Sequence, residues 1–123
     1  TMSESKLRTQ SMDLAVSIVN LVKALKEQRE SVISNQIGRS GTSIGANIRE
    51  AQYAHGKADF IAKLQIALKE ANETGYWLEL LYESNYINKR EFESIYADCQ
   101  ELMKLIIATT KTLRNKSKEV SNN

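Results

Sequence analysis

The sequence predicts an all-α protein, an antiparallel up-down-up-down four-helix bundle, on three observations. Proline is absent from the 123 residues and glycine occurs only five times, which argues against turn-rich β architectures. Apolar residues recur at spacings of three and four in four successive stretches. The polar breaks between them are roughly four to six residues long, and connections that short make helical neighbours antiparallel.

The first helix is expected over about residues 10–26. Leu14, Ile18, Leu21 and Leu25 fall within about 60° of one another at 100° per residue, with Val22 at the edge. Residues 1–10 are polar and expected to fray, and Thr1 ahead of Met2 reads as an expression remnant. The run Lys26-Glu27-Gln28-Arg29-Glu30 ends this helix, and Ser31 can cap the next. The second helix, about 32–53, turns Ile33, Ile37, Ser40, Ile44, Ile48 and Ala51 inward. Gly38, Gly41 and Gly45 flank that face. Each interior glycine costs about 1 kcal/mol relative to alanine, so three in one helix imply a closely approaching neighbour. His55-Gly56 supplies the stop.

The third helix, about 57–83, repeats Phe60, Leu64, Ala67, Ala71, Thr74, Leu78 and Leu81. The capping box Asn88-x-x-Glu91 opens the fourth, about 89–115. It carries Phe92, Ile95, Cys99, Leu102, Ile106, Thr109 and Leu113, and should dissolve into a Lys/Ser/Asn tail after about Lys116. The whole chain, 1–123, reads as one domain.

Composition removes several functional classes. One Cys excludes an internal disulfide, and one His with one Cys excludes a zinc-ligand cluster. Two Glu-x-x-His motifs, as di-iron bundles require, cannot be assembled from one His. No cofactor is expected. A net charge of +2 is too small to argue nucleic-acid binding by itself. No apolar run approaches ~18 residues and no export leader is visible, so a soluble, cytoplasmic protein without a membrane partner is expected.

The stretch Gln36-x-x-Arg39-x-x-x-Ser43-Ile44-x-x-Asn47-Ile48-x-Glu50 resembles the signature of the bacterial 23S rRNA intervening-sequence proteins. Lys57-Ala58-Asp59-Phe60, Leu64, Ile66-Ala67 and Glu73 follow the same pattern. The resemblance spans roughly residues 10–115. Family members commonly read Ala-Glu-Gly where this chain has Arg49-Glu50-Ala51, and often Gly-Ser where it has Lys69-Glu70. The resemblance implies a homopentamer of four-helix bundles with no established catalytic activity. Some relatives are encoded inside insertions in 23S rRNA genes. Others are more strongly basic accessory proteins of diversity-generating retroelements, which bind nucleic acid and a reverse transcriptase.

Three groups of residues are candidate sites. Gln36, Ser43, Asn47 and Glu50, with Arg39 beside them, form a polar stripe next to the core. Such groups must find hydrogen-bond partners, so a structural network is the first reading and a ligand or nucleic-acid surface the second. Met12, Val16 and Val19 on the first helix, and Ile66, Trp77 and Leu80 on the third, are apolar opposite the core and point to a partner subunit. Lys104, Lys111, Arg114, Lys116 and Lys118 follow Leu102 with no acidic residue among them. They suit the helix macrodipole and, multiplied by oligomerisation, offer a weak RNA- or DNA-facing surface.

An enzyme reading rests on Glu70-x-x-Glu73 and Asp98-x-x-Glu101, which vaguely resemble the paired acidic motifs of all-α, Mg²⁺-dependent nucleotide pyrophosphatases. Such pairs are also common on solvated helices. His55 reads as a surface residue at a helix end and Cys99 as an inert core thiol. The sequence therefore predicts a non-enzymatic, oligomeric scaffold or nucleic-acid-associated accessory protein, with the metal-dependent nucleotide hydrolase as the alternative.

Overall fold

In the computed structural model, which describes the backbone through Asn122 and side chains through Lys116, four helices follow one another: α1 (Met2–Glu27), α2 (Val32–Gln52), α3 (Lys57–Glu83) and α4 (Lys89–Asn122). Each packs on its neighbours in sequence, and α4 closes the square against α1. No backbone approaches another across either diagonal among the described residues. Leu14, Ile18, Leu25, Ile37, Ile44, Ile48, Leu64, Leu78, Leu81, Leu102 and Ile106 fill the centre and are sealed from solvent.

The α1–α2 contact explains the glycines of α2. A Cβ placed on Gly41 would stand 2.8 Å from both γ-carbons of Ile18. At Gly38 the nearest atom is a Val22 methyl at 3.4 Å, and at Gly45 it is the Ser11 hydroxyl at 3.3 Å. The three glycines thus form the track along which α1 lies. Between α2 and α3 the buried link is polar: the Ser40 and Thr74 hydroxyls share a 2.9 Å hydrogen bond. Across α3 and α4, Tyr82, Phe92 and Tyr96 stack with ring centroids 4.8 and 4.9 Å apart.

Several boundaries differ from the sequence expectation. Residues 2–10 are helical rather than frayed. Thr1 and Glu4 form a capping box there, Leu7 is fully buried, and the Gln52 side-chain amide donates to the Glu4 carbonyl at 2.7 Å. Ser31 makes no capping hydrogen bond. The buried Glu30 carboxylate instead accepts from the backbone N–H groups of Ile33 at 2.9 Å and Ser34 at 2.7 Å. A carboxylate at a helix N-terminus also meets the positive end of the dipole, which a hydroxyl cannot match.

The end of α1 is a Schellman turn: Glu30 N–H donates to Leu25 and Arg29 N–H to Lys26, with Arg29 at φ 63°. The tail expected after Lys116 continues as helix to Asn122, with neither Gly nor Pro to stop it. Inside α4 the buried hydroxyl is Thr110, while Thr109 is half-buried. Spacing there runs four and four from Leu102 through Ile106.

Two outcomes follow for stability, both measurable by chemical denaturation. Gly41→Ala lowers stability by about 1–2 kcal/mol, because crowding against Ile18 outweighs the gain in helix propensity. Gly38→Ala is neutral or stabilising. Glu30→Ala costs about 1–2 kcal/mol through the lost cap, whereas Ser31→Ala leaves stability within about 0.5 kcal/mol.

Candidate functional site

The polar stripe of α2 divides into three local arrangements. Arg39 lies at the α2–α3 seam and is the hub of the largest. Its Nη1 donates to Glu70 Oε2 at 3.2 Å, its Nη2 donates to Glu73 Oε2, and its Nε and Nη2 reach Gln36 Oε1 at 3.4 and 3.3 Å. The Trp77 indole N–H donates to the same Glu73 oxygen at 2.9 Å. Ser43 and Asn47 do not join this cluster. The Ser43 hydroxyl donates to the Ser40 carbonyl, and Asn47 Nδ2 to the Ser43 carbonyl, both at 2.9 Å within α2. Glu50 is paired across the seam with Lys63 at 3.2 Å.

The two acidic pairs do not converge. Glu70 and Glu73 stand at the α2–α3 seam against Arg39. Asp98 and Glu101 line a shallow hollow with Gln10 and Asp13 at the α1–α4 seam, the opposite edge of the square. No group of three or more His, Cys, Asp or Glu side chains is placed to hold a metal ion among the described residues. His55 is exposed in the α2–α3 connection.

Cys99 is buried, and its thiol donates to the Ala71 carbonyl at 3.2 Å. Burial, and secondarily the charge of Asp98, push its pKa up to about 11 from an ordinary value of 9.0. Such a thiol is a poor nucleophile at neutral pH.

The apolar candidates fall on two faces that flank α2. Met12, Val16 and Val19 are 50%, 53% and 42% exposed. Met12 borders a groove of about 380 Å³ between α1 and α2, with Arg8, Thr42, Gly45, Ala46 and Arg49. On α3, Ile66 is 42% and Tyr76 56% exposed. Trp77 and Leu80 are half-buried rather than free on the outer surface. Trp77 packs against the core edge and stands edge-on to Tyr76, with centroids 4.9 Å apart. The sequence reading assigned no role to Tyr76, although it adjoins Trp77 on the same apolar face.

The basic residues of α4 also separate. Lys104, Lys111 and Arg114 are exposed and share an arc of about 80° at 100° per residue. Lys104 is 3.8 Å from Glu101, a contact between two solvated side chains. Lys116 lies around the helix and lines a hollow of about 290 Å³ with Thr1, Ser3, Glu4 and Phe60. Lys118 lies outside the described side chains.

Three expected outcomes follow. Arg39→Ala leaves Glu70 and Glu73 facing each other and lowers stability by about 1 kcal/mol at low salt, less at high salt. Asn47→Ala, which removes only an intrahelical bond, changes stability by less than about 1 kcal/mol; urea denaturation at two salt concentrations checks both. The raised pKa of Cys99 contributes stability that is fully present below pH 9 and lost as pH rises through about 11. The full effect is about 3 kcal/mol, and the Cys99→Ala variant shows a shallower loss over that window.

A family model described as 23S rRNA-intervening sequence protein matches residues 3–108. A crystal structure of a protein of unknown function from the S23 ribosomal protein family of Bacteroides thetaiotaomicron is 56% identical to this chain. It matches with a TM-score of 0.87, covering 89% of this chain and 98% of that one. No curated protein matches the sequence. The motif around Arg39, the four-helix architecture and the match over most of the chain agree, and the chain belongs to the 23S rRNA-intervening sequence protein family.

Proposed function

We propose that this protein is a non-enzymatic assembly unit whose copies associate into a ring, a pentamer on the family resemblance, that serves as a nucleic-acid-associated scaffold. The observation that carries the reading is the set of half-exposed apolar side chains on the α1 and α3 outer faces. Exposed apolar groups gathered on two faces, beside a core that is already complete, suit a partner surface. The non-enzymatic part is supported by the carboxylates: the paired acidic residues are split between opposite seams. The nucleic-acid part is supported by the strip of Lys104, Lys111 and Arg114, and by a family description that refers to 23S rRNA.

Light scattering coupled to size exclusion should give about five times the 13.9 kDa chain mass, and a monomer at micromolar concentration would overturn the assembly reading. RNA or duplex DNA at ~50 mM salt should be retarded by the oligomer, weakening by roughly 0.7–0.9 log units per phosphate contact per decade of salt. Gln at Lys104, Lys111 and Arg114 together should abolish retardation with the oligomer intact. Lys116→Gln should reduce it less. Undiminished binding by the triple variant, or none by the wild type, would overturn the nucleic-acid reading.

A further inference from the structure

The two apolar faces carry opposite charge. On α1, Met12, Val16, Val19 and Lys23 share an arc of about 60° at 100° per residue, with Arg8 at its edge. Where α2 borders the same face, Arg49 adds a further cation and Glu50 an acid whose charge is paired with Lys63. Lys23, Arg49 and Arg8 enter none of the ion pairs among the described residues, and the Arg8 guanidinium donates to the neutral Gln52. Glu27, a turn beyond Lys23, is the one acidic residue near this arc on α1.

On α3 the corresponding arc, again about 60° wide, holds Asp59, Ile66, Glu73, Trp77 and Leu80. Tyr76 and Glu83 lie about 40° and 60° beyond its edge, and Glu70 joins it at the seam. The cations there are Arg39, already shared between Glu70 and Glu73, Lys69, and Lys63, which is paired with Glu50 of α2. Acids therefore outnumber bases around the α3 face, and bases outnumber acids around the α1 face. The spacing also corresponds. Arg8 and Lys23 are about 22 Å apart along α1, and Asp59 and Glu73 about 21 Å along α3, at 1.5 Å per residue.

We infer that the occupant of the basic apolar face of one copy is the acidic apolar face of a second copy, so that contact between subunits is head-to-tail. This inference rests on the assembly reading above and adds which surface meets which. Pairing either face with itself would set like charges opposite one another, which disfavours a two-fold contact. A head-to-tail contact sets Arg8, Lys23 and Arg49 against Asp59, Glu73 and Glu83, with Met12, Val16 and Val19 against Ile66, Tyr76 and the exposed edge of Trp77. Each copy then has one donor face and one acceptor face, and a ring satisfies every one of them.

The test uses two variants of the full chain, each spoiling one face at an exposed position. Val16→Glu places an unpaired carboxylate in the α1 face, and Ile66→Glu places one in the α3 face. Circular dichroism confirms that each is helical; Met12→Glu and Tyr76→Glu replace a variant that is not. Each variant alone should be monomeric by light scattering. Mixed in equal amounts, they retain one intact α1 face and one intact α3 face, so they should form a complex of two chains and stop there.

Charge is tested separately. The double variant Arg8→Glu, Lys23→Glu should raise the dissociation constant of the assembly tenfold or more at low salt, with the difference shrinking at high salt. A wild-type chain that is monomeric overturns the assembly reading itself. A wild-type oligomer whose variants self-associate singly, or fail to pair when mixed, overturns the head-to-tail contact and leaves the assembly reading standing. So does an oligomer indifferent to the charge reversal.

Discussion

The close approach of α1 to α2 over Gly41 is the constraint from which much of the architecture follows. A helix with glycine at three interior positions is weak on its own, at about 1 kcal/mol per glycine, so α2 depends on the helices packed against it, α1 and α3. The γ-carbons of Ile18 occupy the space a Gly41 side chain would need. With no side chain rising from α2 at the glycines, the two helices lie close together. Met12 on α1 and Thr42, Ala46 and Arg49 on α2 consequently border one shallow groove. The track that stabilises the pair also shapes the face offered outside.

The opposite flank of α2 is held differently. Ser40 and Thr74 meet inside, and Arg39 divides its guanidinium between Glu70 and Glu73 at the surface. Arg39 is half-exposed, so these pairs contribute little to stability beyond fixing register. Their second effect is to anchor Trp77, whose indole N–H is held by Glu73. An amphipathic ring fixed at the edge of a seam, with Tyr76 against it, is a rigid surface element. One flank of α2 thus carries a shallow groove beside Arg8 and Arg49, the other aromatic rings beside Glu70 and Glu73.

The core was readable in the sequence because it depends on periodicity alone: Leu14, Ile18, Ile44, Leu78 and Leu102 follow the helical repeat and are buried. The glycine track was readable because its intrahelical cost demanded an external cause. The cap at Glu30 was less accessible, since a Glu acting through its own carboxylate at a helix start lacks the local signature of Ser or Thr. The helical N-terminal residues were missed because polar side chains conceal the buried Leu7 and the Gln52 bridge from α2. The Arg39 cluster lay within reach. An antiparallel hairpin turning near residue 55 sets 39 opposite 70 and 73, and 50 opposite 63. Treating α2 as a single helix, with its stripe as one unit, hid that pairing. Three-four spacing along α4 also led one residue astray at Thr109, where the groove is met by Thr110 instead.

A protein's chemistry is concentrated where charge is held away from water, and here the buried polar groups are occupied with holding shape. Glu30 caps a helix, Ser40 and Thr74 join two, and the Cys99 thiol is tied to a backbone carbonyl with its proton firmly retained. Every buried side-chain nitrogen and oxygen has a partner among the described residues. The buried polar atoms among the described residues are thus committed to the fold. What remains lies on the outside: apolar atoms exposed to water on α1 and α3, with an excess of cations beside the first and of acids beside the second. Apolar area gains free energy by leaving water, and separated charges gain by meeting their opposites. On the proposed assembly, both gains are available in one contact, in which the basic apolar face of α1 meets the acidic apolar face of α3 on a second copy.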